Sequence, residues 1–459
     1  MSTRRKIQLL LWSYFWLLIF EGALRKWVAP GLSTPLLLIR EPVALAAFVL
    51  GWPYLTRRPW SGWVGLLWII GLISLFLAIS VGHRDIPTAL FGVRILWFHL
   101  PLIFLFAAVF TRDDVITFAK ATAFVAIPMV VLIVMQYSLP QSHFVNVAPG
   151  GEDSAGFRGA LGKFRPPGTF SFVNGLTEFY GLAAACVLAL VVSGPRPLPK
   201  WIWFSAASLI VALPVSISRT LLFKYVLVVA STFAASALSG RNMKNFLVGG
   251  VVLCFVALAA TRIPVAQEAQ KAFTARWEDA TEAEGGDKGV QGVLAKRVGG
   301  STVGAVAEAF DAPLVGYGIG LGSNFGATRV AGKKTFLVGE GLWPVTIGEL
   351  GPILGLALLG FRLALAFALL RRALSQAKRA NALPLILGGY ALVMVVMGGT
   401  AQPTELGFVV LGAGLMLAAC NPTRAELLAK ANRRNAVIPS PLTAGHEHAV
   451  RARSNPYQS

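Results

Sequence analysis

Residues 201–235 read WIWFSAASLIVALPVSISRTLLFKYVLVVASTFAA. Two apolar runs meet at the short seam Ser216–Arg219. Each run approaches the ~20 residues that a helix rising ~1.5 Å per residue needs to cross a ~30 Å hydrocarbon core. In lipid, backbone N–H and C=O groups must be satisfied within their own segment, so such runs are read as helices. The stretch nevertheless places Arg219 at the seam and Lys224 inside the second run. A charge at membrane depth is costly and demands a cavity or a partner.

The rest of the chain repeats this pattern. Of 459 residues, 55% are hydrophobic and only 14% charged, against about 25% charged in an ordinary soluble protein. Mean hydropathy is +0.66. These values exclude a soluble globular class and predict an all-α polytopic membrane protein. About twelve spans are expected, near 7–24, 33–55, 62–82, 87–110, 115–138, 172–193, 200–217, 220–239, 244–262, 343–370, 382–400 and 404–420. The transmembrane bundle occupies residues 1–420, and a basic tail at 421–459 reads as solvated and disordered.

The formal net charge of +20 raises the question of nucleic acid. Insertion rules account for it instead, because cytoplasmic loops retain Lys and Arg. With the N-terminus inside, that side collects Arg4, Arg5, Lys6, Arg57, Arg58, Arg112, Arg196, Lys200, Arg241, Lys244, Arg371, Arg372, Lys378 and Arg379. The opposite short loops hold Arg25, Lys26, Arg84 and the anomalous Arg219. Both termini are therefore expected in the cytoplasm, and two long loops, about 139–171 and 263–342, on the outer face. No cleavable signal is expected at MSTRRK. Cys186, Cys254 and Cys420 lie in apolar runs and read as small hydrophobes. His446 and His448 belong to the tail rather than to a metal site.

The charges within the runs need individual reasons. Glu21 with Lys26, and Glu41 with a neighbouring arginine, read as structural pairs; Arg94 and His99 read as structural too. Arg219, at an outer boundary after Ser216 and Ser218, does not fit that pattern. Arg158, Lys163 and Arg165 in the first outer loop, with Arg276 and Arg297 in the second, add an excess of cations suited to phosphate oxygens. Lys224 either reaches the same anion or neutralises a carboxylate inside the bundle. Gly316, Gly318, Gly320 and Gly322 alternate without the strand-turn-helix setting of a nucleotide loop. They are expected to permit tight turns and close backbone approach. Glu349, two turns into the following helix, needs a partner or water.

Taken in order, SISR (216–219), AKRVGG (295–300), APLVGYGIG (312–320) and EGLWPVTIGELG (340–351) resemble the O-antigen ligase and O-antigen polymerase superfamily. RPPGTFSFVNG (165–175) is similar to that family's segment in the preceding outer loop. The resemblance implies a GT-C-like fold with a long periplasmic loop between helices 9 and 10, in the bacterial inner (cytoplasmic) membrane. It implies a glycosyltransferase that moves a glycan from an undecaprenyl-diphosphate carrier to the hydroxyl of an acceptor glycan or glycolipid, without metal or other cofactor. It places catalytic roles on Arg219 and Arg297, with Arg165, Lys224 and Arg276 as substrate-binding candidates. Where ligases of the family carry a histidine, this chain has Glu340, which serves as a base, orients the acceptor, or pairs with Lys333 or Lys334. A transporter or flippase of lipid-linked glycans is the alternative; no inverted repeat or paired broken helices are evident in its favour.

Overall fold

The computed structural model describes residues 1–57, 59–151, 156–194, 197–240, 243–260, 262, 264–281, 292, 295–332, 338, 341–399 and 402–437, leaving out the side chains of residues 252–253, 255–257, 259–260, 280, 295–298, 301 and 434–437. Among the described residues there are helices and no strands, only an isolated antiparallel bridge between Arg158 and Phe164. The principal helices are α1 (Thr3–Ala23), α2 (Arg40–Leu55), α3 (Ser61–Ser80), α4 (Ile86–Val93), α5 (Leu102–Val109), α6 (Arg112–Ser138), α7 (Val173–Ser193) and α8 (Trp201–Val215). They continue with α9 (Arg219–Ser239), α10 (Met243–Ala260), α11 (Pro264–Ala280), α12 (Asn324–Ala331), α13 (Leu342–Lys378), α14 (Leu383–Met397), α15 (Pro403–Ala418) and α16 (Arg424–Val437).

Eight helical segments among the described residues are long and apolar enough to cross a membrane, and α8, α14 and α15 are shorter apolar helices. Each of the twelve runs expected from hydropathy coincides with helix. The chain is an all-α membrane protein. Its outward surface agrees, since Ile69 and Phe76 on α3 and Val226 and Phe233 on α9 are exposed apolar side chains. In water such patches are unfavourable; in lipid they are the expected coat.

The centre is built from α7, α14 and α15. Nearly every residue of α7 is buried, and so is all of α15 from Leu406 to Ala418. Small residues allow these helices close contact, the packing mode lipid favours when hydrophobicity cannot drive association. A Cβ at Gly389 would stand 2.1 Å from Ser231 Oγ and 2.8 Å from Val228 Cα, so α9 lies directly on α14 there.

Three helices are interrupted, which apolar periodicity does not reveal. A π turn at Leu24–Val28 ends α1, and a second at Arg94–Phe98 separates α4 from α5. In α13, Gly351 (φ 77°) precedes Pro352 and breaks the helix. That break explains the glycine run. Tyr317 N donates to Gly348 O at 2.8 Å and Gly318 N to Glu349 O at 3.0 Å, which satisfies carbonyls the kink releases. A side chain at Gly351 would meet Leu314 O at 2.2 Å. Glu349 finds its partner in the same place, accepting from Gly322 N at 2.7 Å.

Several expectations change. Glu21 pairs with Arg25 (3.5 Å) and with Arg40 (3.0 Å) rather than with Lys26. Arg25 lies one helical turn on, at i+4, whereas Lys26 points away and donates to Gly168 O at 3.2 Å. Glu41 does bind a neighbouring arginine, Arg94, with His99 Nε2 3.6 Å from the same oxygen. The segment 263–342 contains helix: α11 packs Ala266, Ala269 and Ala272 inward, and α12 follows. The tail begins with a helix, α16, whose Arg424 pairs with Asp114. His446 and His448 lie outside the described residues. Cys186 is buried, while Cys254 is exposed on its helix.

Candidate functional site

The seam quoted at the outset is a strained turn. Pro214 sits in the last turn of α8, Ile217 N donates to Pro214 O at 3.0 Å, and Ser216 Oγ donates to Leu213 O at 2.9 Å. Ile217 then adopts φ 46° while fully buried. A β-branched residue in the left-handed region is a steric outlier that persists only where surroundings enforce it. A hairpin spanning residues 157–165 packs against it. A Cβ at Gly159 would lie 2.6 Å from Ile217 Cδ1 and 2.9 Å from Lys163 O, so the hairpin backbone passes close to the Ile217 side chain. Ser218 caps α9, accepting from Leu221 N at 3.4 Å, and lies 3.2 Å from Thr177 Oγ1. Arg219 is the first residue of α9 and therefore stands at the positive end of the helix dipole.

The hairpin carries Arg165 back to this turn. Arg165 N donates to Phe157 O at 2.7 Å, Gly159 N donates to Lys163 O at 2.8 Å, and Leu161 (φ 51°) and Gly162 (φ 72°) form the tip. Arg165 Nε then donates to Ser216 O at 3.4 Å. From the segment after α10, α11 supplies Arg276, whose Nη1 donates to Gly159 O at 3.0 Å and Arg158 O at 3.4 Å. Lys163 and Glu268 form an ion pair at 2.8 Å that ties the hairpin to α11.

Four of the six residues singled out from the sequence, Arg165, Arg219, Lys224 and Arg276, line one cavity of about 310 Å³. They come from three separate stretches of chain, Arg219 and Lys224 both standing on α9. The side chain of Arg297 and the whole of Glu340 lie outside the described residues, so neither is placed relative to this cavity.

Two carboxylates that the sequence reading passed over share the cavity: Glu178 and Glu405. Glu178 bears on Lys224. The two side chains form a buried ion pair, and Glu178 Oε2 also accepts from Tyr390 OH at 3.1 Å. Of the two roles open to Lys224, the structure shows the neutralising one. The available signal was a carboxylate inside the apolar run VNGLTEFYGLAAA, 46 residues before the lysine it meets. Glu405 Oε1 accepts from Asn174 Nδ2 at 2.8 Å. On the far wall, Arg362 donates to Met394 O, Val395 O and Gly398 O at 3.2, 2.7 and 3.2 Å. Those bonds close the end of α14 and hold Gly398 and Gly399 against the cavity.

Beside the Lys224–Glu178 pair, the guanidiniums of Arg165, Arg219 and Arg276 line the same cavity. Burial, then the Arg276 and Arg219 charges alongside, pushes Arg165 down from 12.5 to about 10. Like charges thus crowd Arg165, and an anionic ligand would relieve that repulsion. Helix-terminal N–H groups and arginine forks are together suited to phosphate oxygens. No cluster of three or more His, Cys, Asp or Glu able to hold a metal occurs among the described residues. No family model matches the chain, and no curated protein or solved structure is significantly similar to it.

Proposed function

We propose that this protein is a glycosyltransferase of the bacterial inner membrane that moves a glycan from an undecaprenyl-diphosphate carrier to an acceptor hydroxyl, as a polysaccharide polymerase or an O-antigen ligase-like enzyme. The observation that carries the reading is the convergence of Arg165, Arg219 and Arg276 on one cavity at the start of α9. Breaking the bond between anomeric carbon and diphosphate develops negative charge on the leaving group, and fixed guanidinium donors stabilise it in the transition state.

In this reading, twelve helices span the bilayer in a GT-C-like arrangement with both termini cytoplasmic. The arginine cavity then opens at the periplasmic face, where a lipid diphosphate meets the membrane surface. Arg297 keeps the role the family resemblance implies for it, and Glu340, where the family carries a histidine, acts as a base, orients the acceptor or pairs with Lys333 or Lys334. Transport of a lipid-linked glycan is the second reading, favoured by the interruptions in α1, α4–α5 and α13, since broken helices are common in transporters.

The test is gel analysis of surface and carrier-linked glycans from a deletion strain complemented with wild type, Arg219→Ala or Arg165→Ala. Single repeat units accumulating on the carrier would identify a polymerase, and full-length chains stranded there a ligase. An unchanged profile in the deletion strain would overturn the enzymatic reading.

A further inference from the structure

A second cavity, of about 200 Å³, lies beside the arginine cavity. The two adjoin along the same two segments. Ser171 and Phe172 line the second cavity while Asn174 lines the first, and Gln402, Pro403 and Thr404 line the second while Glu405 lines the first. The Asn174–Glu405 hydrogen bond, at 2.8 Å, joins these two segments and forms part of the partition.

The second cavity differs in chemistry from its neighbour. Its floor carries the Glu21–Arg25 pair, with Arg25 Nη1 also donating to Ser171 Oγ at 3.0 Å. Phe91 and Phe325 stack along one side with centroids 4.8 Å apart, and Phe172 and Phe325 remain 44% and 43% exposed. Exposed aromatic faces around a few fixed polar groups are the usual lining of a small-molecule site. Rings that present C–H faces stack on such aromatics, and their hydroxyls bond to a carboxylate and a guanidinium. A pyranose has both, and the volume suits one ring.

We infer that the second cavity holds a sugar ring of the acceptor, whose hydroxyl reaches past the Asn174–Glu405 partition to Glu405 in the arginine cavity. The inference rests on the glycosyltransferase reading above. Glu405, steadied by Asn174, takes the hydroxyl proton. The oxygen lone pair forms the new bond to the anomeric carbon, the bond from that carbon to the diphosphate breaks, and the electron pair leaves on the diphosphate held by the arginines.

Two measurements on the full-length protein separate this inference from the reading beneath it. The first is binding of undecaprenyl diphosphate to purified protein; the second is glycan product in the complemented deletion strain. Thr404→Trp, which fills the second cavity, should bind the probe within about 3-fold of wild type yet lose product and strand glycan on its carrier. Glu405→Gln should bind the probe equally or more tightly, because a carboxylate leaves the anion cavity, and lose product about 10²–10⁴-fold. Phe325→Ala, a milder change at an exposed ring, should cut product about 10-fold, and it decides the matter if Thr404→Trp fails to accumulate. Wild-type product from Phe325→Ala, or from folded Thr404→Trp, would overturn the inference and leave the donor site standing. Failure of the wild type to bind undecaprenyl diphosphate would overturn both.

Discussion

The Lys224–Glu178 pair gives the sharpest test of how this site is built. Both side chains are buried, at 5% and 6% exposure, and they face each other within a bundle centre that offers little water. Removing one member of such a pair leaves an uncompensated charge, at a cost of about 3–5 kcal/mol. Replacing both by neutral groups of similar shape costs little, because two desolvation penalties vanish with the attraction. At about 2.1 cal/mol/K per residue of unfolding entropy, a 459-residue chain moves by about 1 °C per kcal/mol. Lys224→Met and Glu178→Gln should therefore each lower the melting temperature by about 3–5 °C. The double variant should return to within about 1 °C of wild type. The assay is thermal unfolding in detergent, followed by fluorescence of the protein's 12 tryptophans. Additive losses of about 6–10 °C in the double variant would refute the pairing argument. Undecaprenyl diphosphate binding in the double variant supplies the functional half: retained affinity means Lys224 serves Glu178, and a loss of tenfold or more means it contacts the anion.

Arg219→Ala, Arg165→Ala and Arg276→Ala should each weaken undecaprenyl diphosphate binding about 10–100-fold, the worth of a charge-assisted hydrogen bond of about 1.5–3 kcal/mol; titration of purified protein checks it, and Arg219→Lys should also bind weakly because a point charge lacks the planar fork. Because Arg165 is held down at about 10, affinity should fall as pH rises through that value, and the fall should be absent in Arg165→Ala. The sign for stability is opposite: the charged form is disfavoured in the fold, so that penalty is full below about 10 and fades as pH rises towards 12.5. Gly351→Ala should lower the melting temperature and the amount of folded protein, since its φ of 77° and the 2.2 Å approach of Leu314 O both exclude a side chain. Glycan transfer in membranes should persist in excess EDTA; complete loss, restored by Mg²⁺, would contradict arginine-based stabilisation of the leaving group.

Hydropathy alone located the apolar helices, because a run of about 20 apolar residues has few stable alternatives in a bilayer, but it did not find the polar α11, α12 and α16. It also singled out Arg219 as a charge without a local reason, and the alternating glycines as a place for tight turns, both from residue type at a fixed position. The helix interruptions escaped it, since π turns and a Gly-Pro break leave apolar periodicity almost unchanged. The partners of buried charges escaped it too. Glu178 meets Lys224 from another helix, Glu21 meets Arg40 across a loop, and Glu349 is satisfied by a backbone N–H, all contacts set by packing rather than by spacing.

What the residues determine by themselves is therefore one-dimensional: which segments are helical and apolar, and which charges are expensive where they stand. Only the tertiary structure decides which of those charges meet. Arg165, Arg219 and Arg276 share a cavity because the 157–165 hairpin packs against the turn before α9 and because Arg276 of α11 binds that hairpin. Those are long-range contacts, and the spacing along the chain carries no record of them.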